Sequence, residues 1–351
     1  MARIIKVLVV DDSPLVQQLM TDILNQAPDI KVVGVADDPY DARDKIKQLQ
    51  PDVLTLDVEM PRMNGIAFLK NLMRLRPMPV VMVSTLTEKG APVTMEALEL
   101  GAVDFVPKPK MNVETELVGY REEIHEKIRA AALSRVRSLT EHKSQQSAGS
   151  TLTNLEQLKF QQRFIVAIGA STGGTEAIKQ VITRFPKHFS PVVITQHIPP
   201  VFSSSFAQRM DGACQMHVQE ATDGMPVEAG NIYIAPGDHH LEVVLKSGRM
   251  YCRVFQGEKV NRHRPSVDVM FSSVMNSAGI HSTAAILTGM GSDGAQSLLA
   301  MKQNGIKTIA QDEETCVVYG MPRAAVELNA ATKIAPLDRI ADLLMRTALK
   351  P

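Results

Sequence analysis

From residue 1 to about 120, short apolar runs alternate with longer segments whose apolar positions recur at helical spacing. "KVLVV", "KVVGVA", "DVLTLD", "PVVMVS" and "DFVP" are almost continuously apolar, as strands buried on both faces must be. Five βα units follow, which predicts a parallel sheet with helices on both faces and a complete small domain. Residues 114 to about 138 keep helical spacing, and "LTEHKSQQSAGSTLTNLEQLKFQQR" then turns polar and glutamine-rich, which predicts a linker containing some helix. The alternation restarts near residue 163 with "FIVAIGA", "PVVITQH", "NIYIAPG", "STAAILTGM" and "IKTIAQ", a second α/β sheet. Inside it, "LEVVLKSGRMYCRVF" places Ser247 and Gly248 between strand-like flanks, a β-hairpin signal. The fold class is therefore α/β with two doubly wound parallel-sheet domains, the second carrying a hairpin. We set the boundaries at 1–122, a linker at 123–159, and 160–351.

Composition narrows the functional classes. The 351 residues favour two domains, and 38 basic against 38 acidic side chains leave no global field to draw the chain onto nucleic acid or an anionic bilayer. A basic recognition helix is also missing, so a nucleic-acid effector is disfavoured. Cys214, Cys252 and Cys316 are far apart and odd in number, which fits reduced thiols better than disulfides or a zinc site. The opening "MARIIKVLVVDDSP" meets two aspartates before it can serve as a signal or membrane segment. A cytoplasmic protein with no direct membrane insertion is expected.

Candidate chemistry in the first domain lies at strand ends. Asp11 and Asp12 close the first strand and Asp57 closes the third, so a doubly wound sheet brings three carboxylates to one crevice. Such a cluster repels itself unless a cation intervenes, and oxygen ligands with room for water suit Mg²⁺. The competing explanation is three unrelated loop or capping aspartates. Ser84 ends the fourth strand and Lys108 follows the fifth, adding the hydroxyl and ammonium that phosphoryl transfer to Asp57 requires.

"VVDDSP", "LDVEMPRMNG", "VS" and "VPKP", in that order at strand ends, resemble the flavodoxin-like receiver domain of two-component response regulators over about residues 5 to 122. The resemblance implies that Asp12 and Asp57 ligate Mg²⁺, with Asp11 acting through water and the Glu59 carbonyl as a further ligand. It also implies Asp57 as phosphoacceptor and Ser84 and Phe105 as a switch pair moving with its phosphorylation.

In the second domain, "VAIGASTGGTEAI" breaks from a strand into small residues and resumes as a helix. A dinucleotide fingerprint fails because Ser171 stands where its second glycine belongs, and a P-loop fails for want of Gly-Lys-[Ser/Thr]. The stretch does match G-x-S-x-G between a strand and a helix, a turn that projects a serine hydroxyl beside unpaired helix N–H groups. A capping serine would look similar.

A nucleophilic serine needs a base and an acid that orients it. His197 ends the strand "PVVITQH" on the same sheet edge and is preferred over His239, His240 and the arginine-flanked His263. For the acid, Asp293 in "GMGSDG" is preferred over Asp312, because its neighbouring glycines permit close backbone approach.

"GASTGG", "TQHIPP", "NIYIAPGDHH", "RHRPSVDVMF" and "ILTGMGSDGA" together resemble the catalytic domain of the chemotaxis protein-glutamate methylesterases (CheB), over about residues 160 to 349. That resemblance implies a Ser171, His197, Asp293 triad, oxyanion contacts at Thr172 and the Met290 N–H, and no cofactor for the esterase step. It implies demethylation of glutamate γ-methyl esters and deamidation of glutamines on methyl-accepting chemoreceptors, with a chemotaxis histidine kinase as phosphodonor. It further suggests that the receiver obstructs the catalytic cleft until phosphorylated. A hundredfold control of rate needs only about 2.7 kcal/mol. The rival from another class is a phosphorylation-switched adaptor that binds receptors without chemistry.

Overall fold

The computed structural model describes residues 3–60, 63–84, 90–108, 114–136 and 155–350, without the side chains of 114–119. They form two compact units, residues 1–147 and 148–351.

In the first unit the five expected strands appear as β1 (Ile5–Val10), β2 (Ile30–Ala36), β3 (Val53–Asp57), β4 (Val80–Ser84) and β5 (Asp104–Pro107). They pair in parallel in the order β2-β1-β3-β4-β5. Chain direction across the sheet reverses at β1, so the crevice at a switch point lies outside the β1 and β3 carboxyl ends, where Asp11, Asp12 and Asp57 stand. Between and after the strands come α1 (Pro14–Asn25), α2 (Pro39–Leu49), α3 (Gly65–Leu75), α4 (Ala91–Glu99) and α5 (Glu114–Leu133).

Helix α5 departs from the expected boundary at residue 122, because it continues to Leu133 as part of the first unit. Ile124, Ile128, Ala130 and Ala131 are buried along one face, and Arg129 forms a two-bond pair with Asp29 at 2.7 and 2.8 Å. Burial of Ile124 and of Ile128 each stabilises by about 1.5–3 kcal/mol, enough to hold these turns on the sheet rather than release them as linker. The expected linker residues 137–154 lie outside the described residues.

The second unit holds β6 (Ile165–Ala170), β7 (Val192–Gln196), β9 (Asn231–Ile234), β12 (Ser282–Ile286) and β13 (Lys307–Gln311), the expected strands. Two more were not foreseen, β8 (His217–Glu220) and β14 (Lys333–Ala335), which close the edges of a seven-stranded parallel sheet ordered β14-β13-β12-β6-β7-β9-β8. The hairpin is β10 (His240–Lys246) with β11 (Arg249–Phe255), paired from His240↔Phe255 to Lys246↔Arg249. Ser247 and Gly248 both have positive φ, 48° and 78°, the two-residue turn whose twist suits a hairpin.

The helices of this unit are α6 (Gly174–Ile182), α7 (Pro200–Asp211), α8 (Val267–Ala278), α9 (Ala295–Gln303), α10 (Met321–Glu327) and α11 (Leu337–Ala348). The hairpin packs on α8, where Ser273 accepts the Val243 N–H at 2.9 Å and Ser277 donates to the Val243 carbonyl at 2.7 Å. One core joins Ile165, Val193, Leu241, Phe271 and Ile286 beneath the hairpin and the sheet. Side chains so interlocked fix where the carboxyl ends of β12, β6 and β7 lie, and those three neighbouring strands carry the second site.

Candidate active sites

In the first unit, carboxylate oxygens of Asp11, Asp12 and Asp57 lie within 4.8 Å of one another. Lys108 reaches in from the end of β5, with Nζ 2.8 Å from Asp57 and 3.2 Å from Asp11. Its own N–H donates to the Ser84 carbonyl at 2.7 Å, which fastens the neighbouring strand ends together. Burial pushes the Asp57 carboxyl up to about 6; the Lys108 hydrogen bond opposes this, and the Asp11 charge adds to it. Burial also works against the Lys108 ammonium, but the Asp57 and Asp11 carboxylates more than compensate and raise its pKa. Three carboxylates against one ammonium leave a surplus of negative charge among hard oxygen donors, a set that fits a divalent cation of the Mg²⁺ type. The Glu59 side chain is exposed, while its backbone N–H bonds Asp57.

Around this crevice the expected switch residues are buried. The Ser84 hydroxyl accepts from Thr94 of α4 at 2.9 Å. Phe105 lies inward, its carbonyl accepts from Lys127 of α5 at 2.6 Å, and the Lys127 ammonium stands 5.1 Å from its ring centre.

In the second unit, Ser171 directly follows β6 and is half-buried. Its N–H donates to the Thr288 carbonyl at 3.0 Å and its carbonyl accepts from Gln196 at 2.9 Å, so the turn is clamped from both neighbouring strands. Close approach explains the glycines. A β-carbon on Gly289 would stand 2.7 Å from that of Ser171, and one on Gly174 would stand 2.1 Å from Gln196 Oε1. Gly173, at φ 75°, leads the chain into α6, whose first N–H, that of Gly174, donates to the Ser171 carbonyl at 2.7 Å. Thr172 is buried, and its carbonyl accepts from the Thr288 hydroxyl at 3.1 Å, which brings the Thr172 and Gly289–Met290 backbones side by side.

His197 follows β7, one register position beyond the Ala170↔Gln196 pair, and its N–H donates to the Ala170 carbonyl at 3.2 Å. Its Nε2–H donates to Asp293 Oδ2 at 2.8 Å, and its buried Nδ1 has no hydrogen-bond partner among the described residues. Asp293 is 1% exposed and accepts as well from the Val267 N–H at 2.7 Å, the Ser266 hydroxyl at 2.8 Å and the Asn261 amide at 2.8 Å. Burial raises this carboxyl, but the His197, Asn261 and Val267 hydrogen bonds prevail and hold it far below the usual carboxylate range. A permanently ionised Asp293 fixes the proton of His197 on Nε2, which leaves the lone pair on Nδ1 as a base.

Comparison with known proteins places each unit in a family. The family description "CheB methylesterase" matches residues 166–344, and "Response regulator receiver domain" matches residues 7–117. A protein of Vibrio vulnificus named protein-glutamate methylesterase/protein-glutamine glutaminase 2 is 51% identical over 345 residues, covering 98% of both chains. Its namesake in Saccharophagus degradans is 52% identical over 99% of both chains. This chain belongs to the CheB methylesterase family. Among solved structures, the Thermotoga maritima CheB methylesterase catalytic domain aligns with a TM-score of 0.51 and 39% identity, covering 52% of this chain and 97% of that one.

Within this CheB chain the rivals weighed for the catalytic roles have other partners. Asp312 caps its own turn, accepting from the Thr315 N–H at 3.0 Å and hydroxyl at 2.6 Å. His240 is buried between the Ser266 N–H, which it accepts at 3.2 Å, and the Glu258 carbonyl, to which it donates at 2.8 Å. His239 bonds the Gly237 carbonyl at 3.2 Å. His263 was set aside in the sequence for its arginine neighbours, yet its ring stacks on His197 with centroids 3.7 Å apart and planes at 11°. Asn261 and Ser266 were not singled out either. Their only signal was proximity to "RHRP", which carries no chemistry by itself. Among the described residues no helix is long and apolar enough to cross a membrane.

Proposed function

We propose that Ser171, His197 and Asp293 act as nucleophile, base and orienting acid. The observation that carries this reading is the buried, unpartnered Nδ1 of an imidazole whose other nitrogen is held by an ionised carboxylate. An acceptor left so in a core is costly unless a donor arrives, and we assign that role to the Ser171 hydroxyl, which follows the adjoining strand β6.

The chain is a phosphorylation-activated protein-glutamate methylesterase and protein-glutamine glutaminase serving chemotaxis adaptation. As Ser171 Oγ bonds to the γ-carbonyl carbon of a glutamate methyl ester, its proton passes to His197 Nδ1. The tetrahedral oxyanion is met by the N–H groups of Thr172 and Met290. Collapse breaks the bond to the methoxy oxygen, which leaves as methanol with the proton from His197. Water, deprotonated by His197, then attacks the acyl-enzyme and releases glutamate and Ser171. A glutamine substrate follows the same course with ammonia as the leaving group.

In the receiver, Asp11, Asp12, Asp57 and the Glu59 carbonyl would hold Mg²⁺, which supplies charge neutralisation for an incoming phosphoryl group. Asp57 accepts that group, Lys108 stabilises its oxygens, and Ser84 and Phe105 respond to it. The phosphodonor is the chemotaxis histidine kinase, the substrates are the cytoplasmic helices of methyl-accepting receptors, and the enzyme works in the cytoplasm. Methanol release from methylated receptor membranes, assayed with and without acetyl phosphate, tests this function. Release that rises with the phosphodonor is expected; an absence of release in both conditions would point instead to an adaptor.

A further inference from the structure

We infer that His263 is a positioning residue of the esterase, whose ring fixes the plane of the His197 imidazole and with it the direction of the unpartnered Nδ1. The inference rests on the triad reading above and extends it to a side chain outside the triad. A histidine ring turns about a broad two-fold torsion, and one hydrogen bond at Nε2 leaves that rotation only partly defined. His263 supplies the missing constraint by covering one face of His197, with centroids 3.7 Å apart and planes at 11°.

The segment bearing His263 is anchored on several sides. Val260 and His263 exchange backbone hydrogen bonds at 3.1 and 2.9 Å. Asn261 donates to Asp293 at 2.8 Å and to Asp268 at 2.7 Å, so the loop grips the acid whose other oxygen orients His197. Arg264 forks onto Asp238 at 2.6 and 2.9 Å. Asn261 and Arg262 sit at φ 50° and 67°, a conformation unfavourable for side-chain-bearing residues that persists here because those anchors impose it. An unfavourable turn kept next to reacting groups fits a segment shaped to present one ring. That ring also covers one face of His197 against water.

The test uses the full chain with acetyl phosphate and methylated receptor membranes, comparing His263→Ala, His263→Leu and His263→Phe with the native protein. Phe keeps a flat ring without titratable nitrogen, whereas Leu fills space without one. A misplacement of about 1 Å can cost about a hundredfold. We therefore expect Ala and Leu to lower kcat by roughly ten- to a hundredfold at unchanged KM, and Phe to recover most of it. The downfield His197 Nε2–H resonance should broaden in Ala and Leu and stay sharp in Phe. Native kcat in the Ala variant, or a Phe variant as slow as Leu, would overturn the inference, and the Phe–Leu contrast is readable even if Ala fails to fold. Ser171→Ala separates the two layers. If it turns over, the triad reading falls and this role with it. If it is inactive while His263→Ala is fully active, only the positioning role falls.

Discussion

A β-carbon placed on Gly65 would stand 2.0 Å from the carbonyl oxygen of Asp57, so the first residue of α3 and the proposed phosphoacceptor lie in direct backbone contact. The Gly65 N–H also donates to the Val58 carbonyl at 2.9 Å. Neither partner is a flexible side chain, so Gly65→Ala must move the backbone that carries Asp57. Overpacking of this kind costs about 1–3 kcal/mol. The urea midpoint of the receiver should fall accordingly, and acetyl phosphate should label the variant more slowly than the native chain.

Asp57 yields a pH dependence with a defined sign. Its carboxyl is raised to about 6 in the folded protein, so between its unfolded value near 4 and about 6 the native state binds more protons than the unfolded state. Without Mg²⁺, receiver stability should therefore decline as pH rises across that window, and Asp57→Asn should flatten the slope. Mg²⁺ must displace the same proton, so its affinity should strengthen as pH rises through about 6 and level off above. Calorimetric titration in buffers of different ionisation enthalpy would detect the released proton.

Every hydrogen bond made by Asp293, the proposed acid of the triad, is one it accepts. Asp293→Asn must turn an NH₂ toward the Val267 N–H and His197 or toward Ser266 and Asn261. The conflict should cost about 1–3 kcal/mol of stability. With the proton no longer fixed on Nε2, kcat for methanol release should fall by about 10³- to 10⁴-fold. Asp312→Asn, which alters only a local turn, should stay within about twofold of native, the usual size of a surface effect.

Thr94 donates to the Ser84 hydroxyl at 2.9 Å, a buried bond between α4 and the proposed switch serine. We predict that Thr94→Val releases Ser84 from its resting position and raises basal methanol release without phosphodonor. A bond worth about 0.5–1.5 kcal/mol corresponds to roughly a two- to twelvefold change. A fall in basal release at unchanged stability would show that this bond supports the active form instead.

The long apolar strands and the strand-end residues were legible because burial on both faces and the carboxyl-edge rule leave few alternatives. Edge strands β8, "HVQE", and β14, "KIA", were not, since short polar strands are defined by their neighbours and not by their own pattern. Helical spacing from residue 114 to about 138 anticipated helix α5, but not that its Ile124 and Ile128 are buried, because "EEIHEKIRAAAL" is charged on its other face. Within the proposed catalytic site, Ser171, His197 and Asp293 were chosen by strand-end position, and the structure puts His197 and Asp293 in contact at 2.8 Å. The parts that required coordinates are which imidazole nitrogen meets the acid and how the 256–266 loop brings Asn261, His263 and Ser266 around it.

Covalent capture of the nucleophile tests the central claim most directly. The full chain would be treated with a fluorophosphonate, and the adduct located by intact mass and peptide mapping alongside the methanol assay. A single adduct on Ser171, appearing in step with loss of methanol release and missing from Ser171→Ala, is the predicted result. An adduct on another residue, or a protein fully labelled at Ser171 that still releases methanol, would contradict the account.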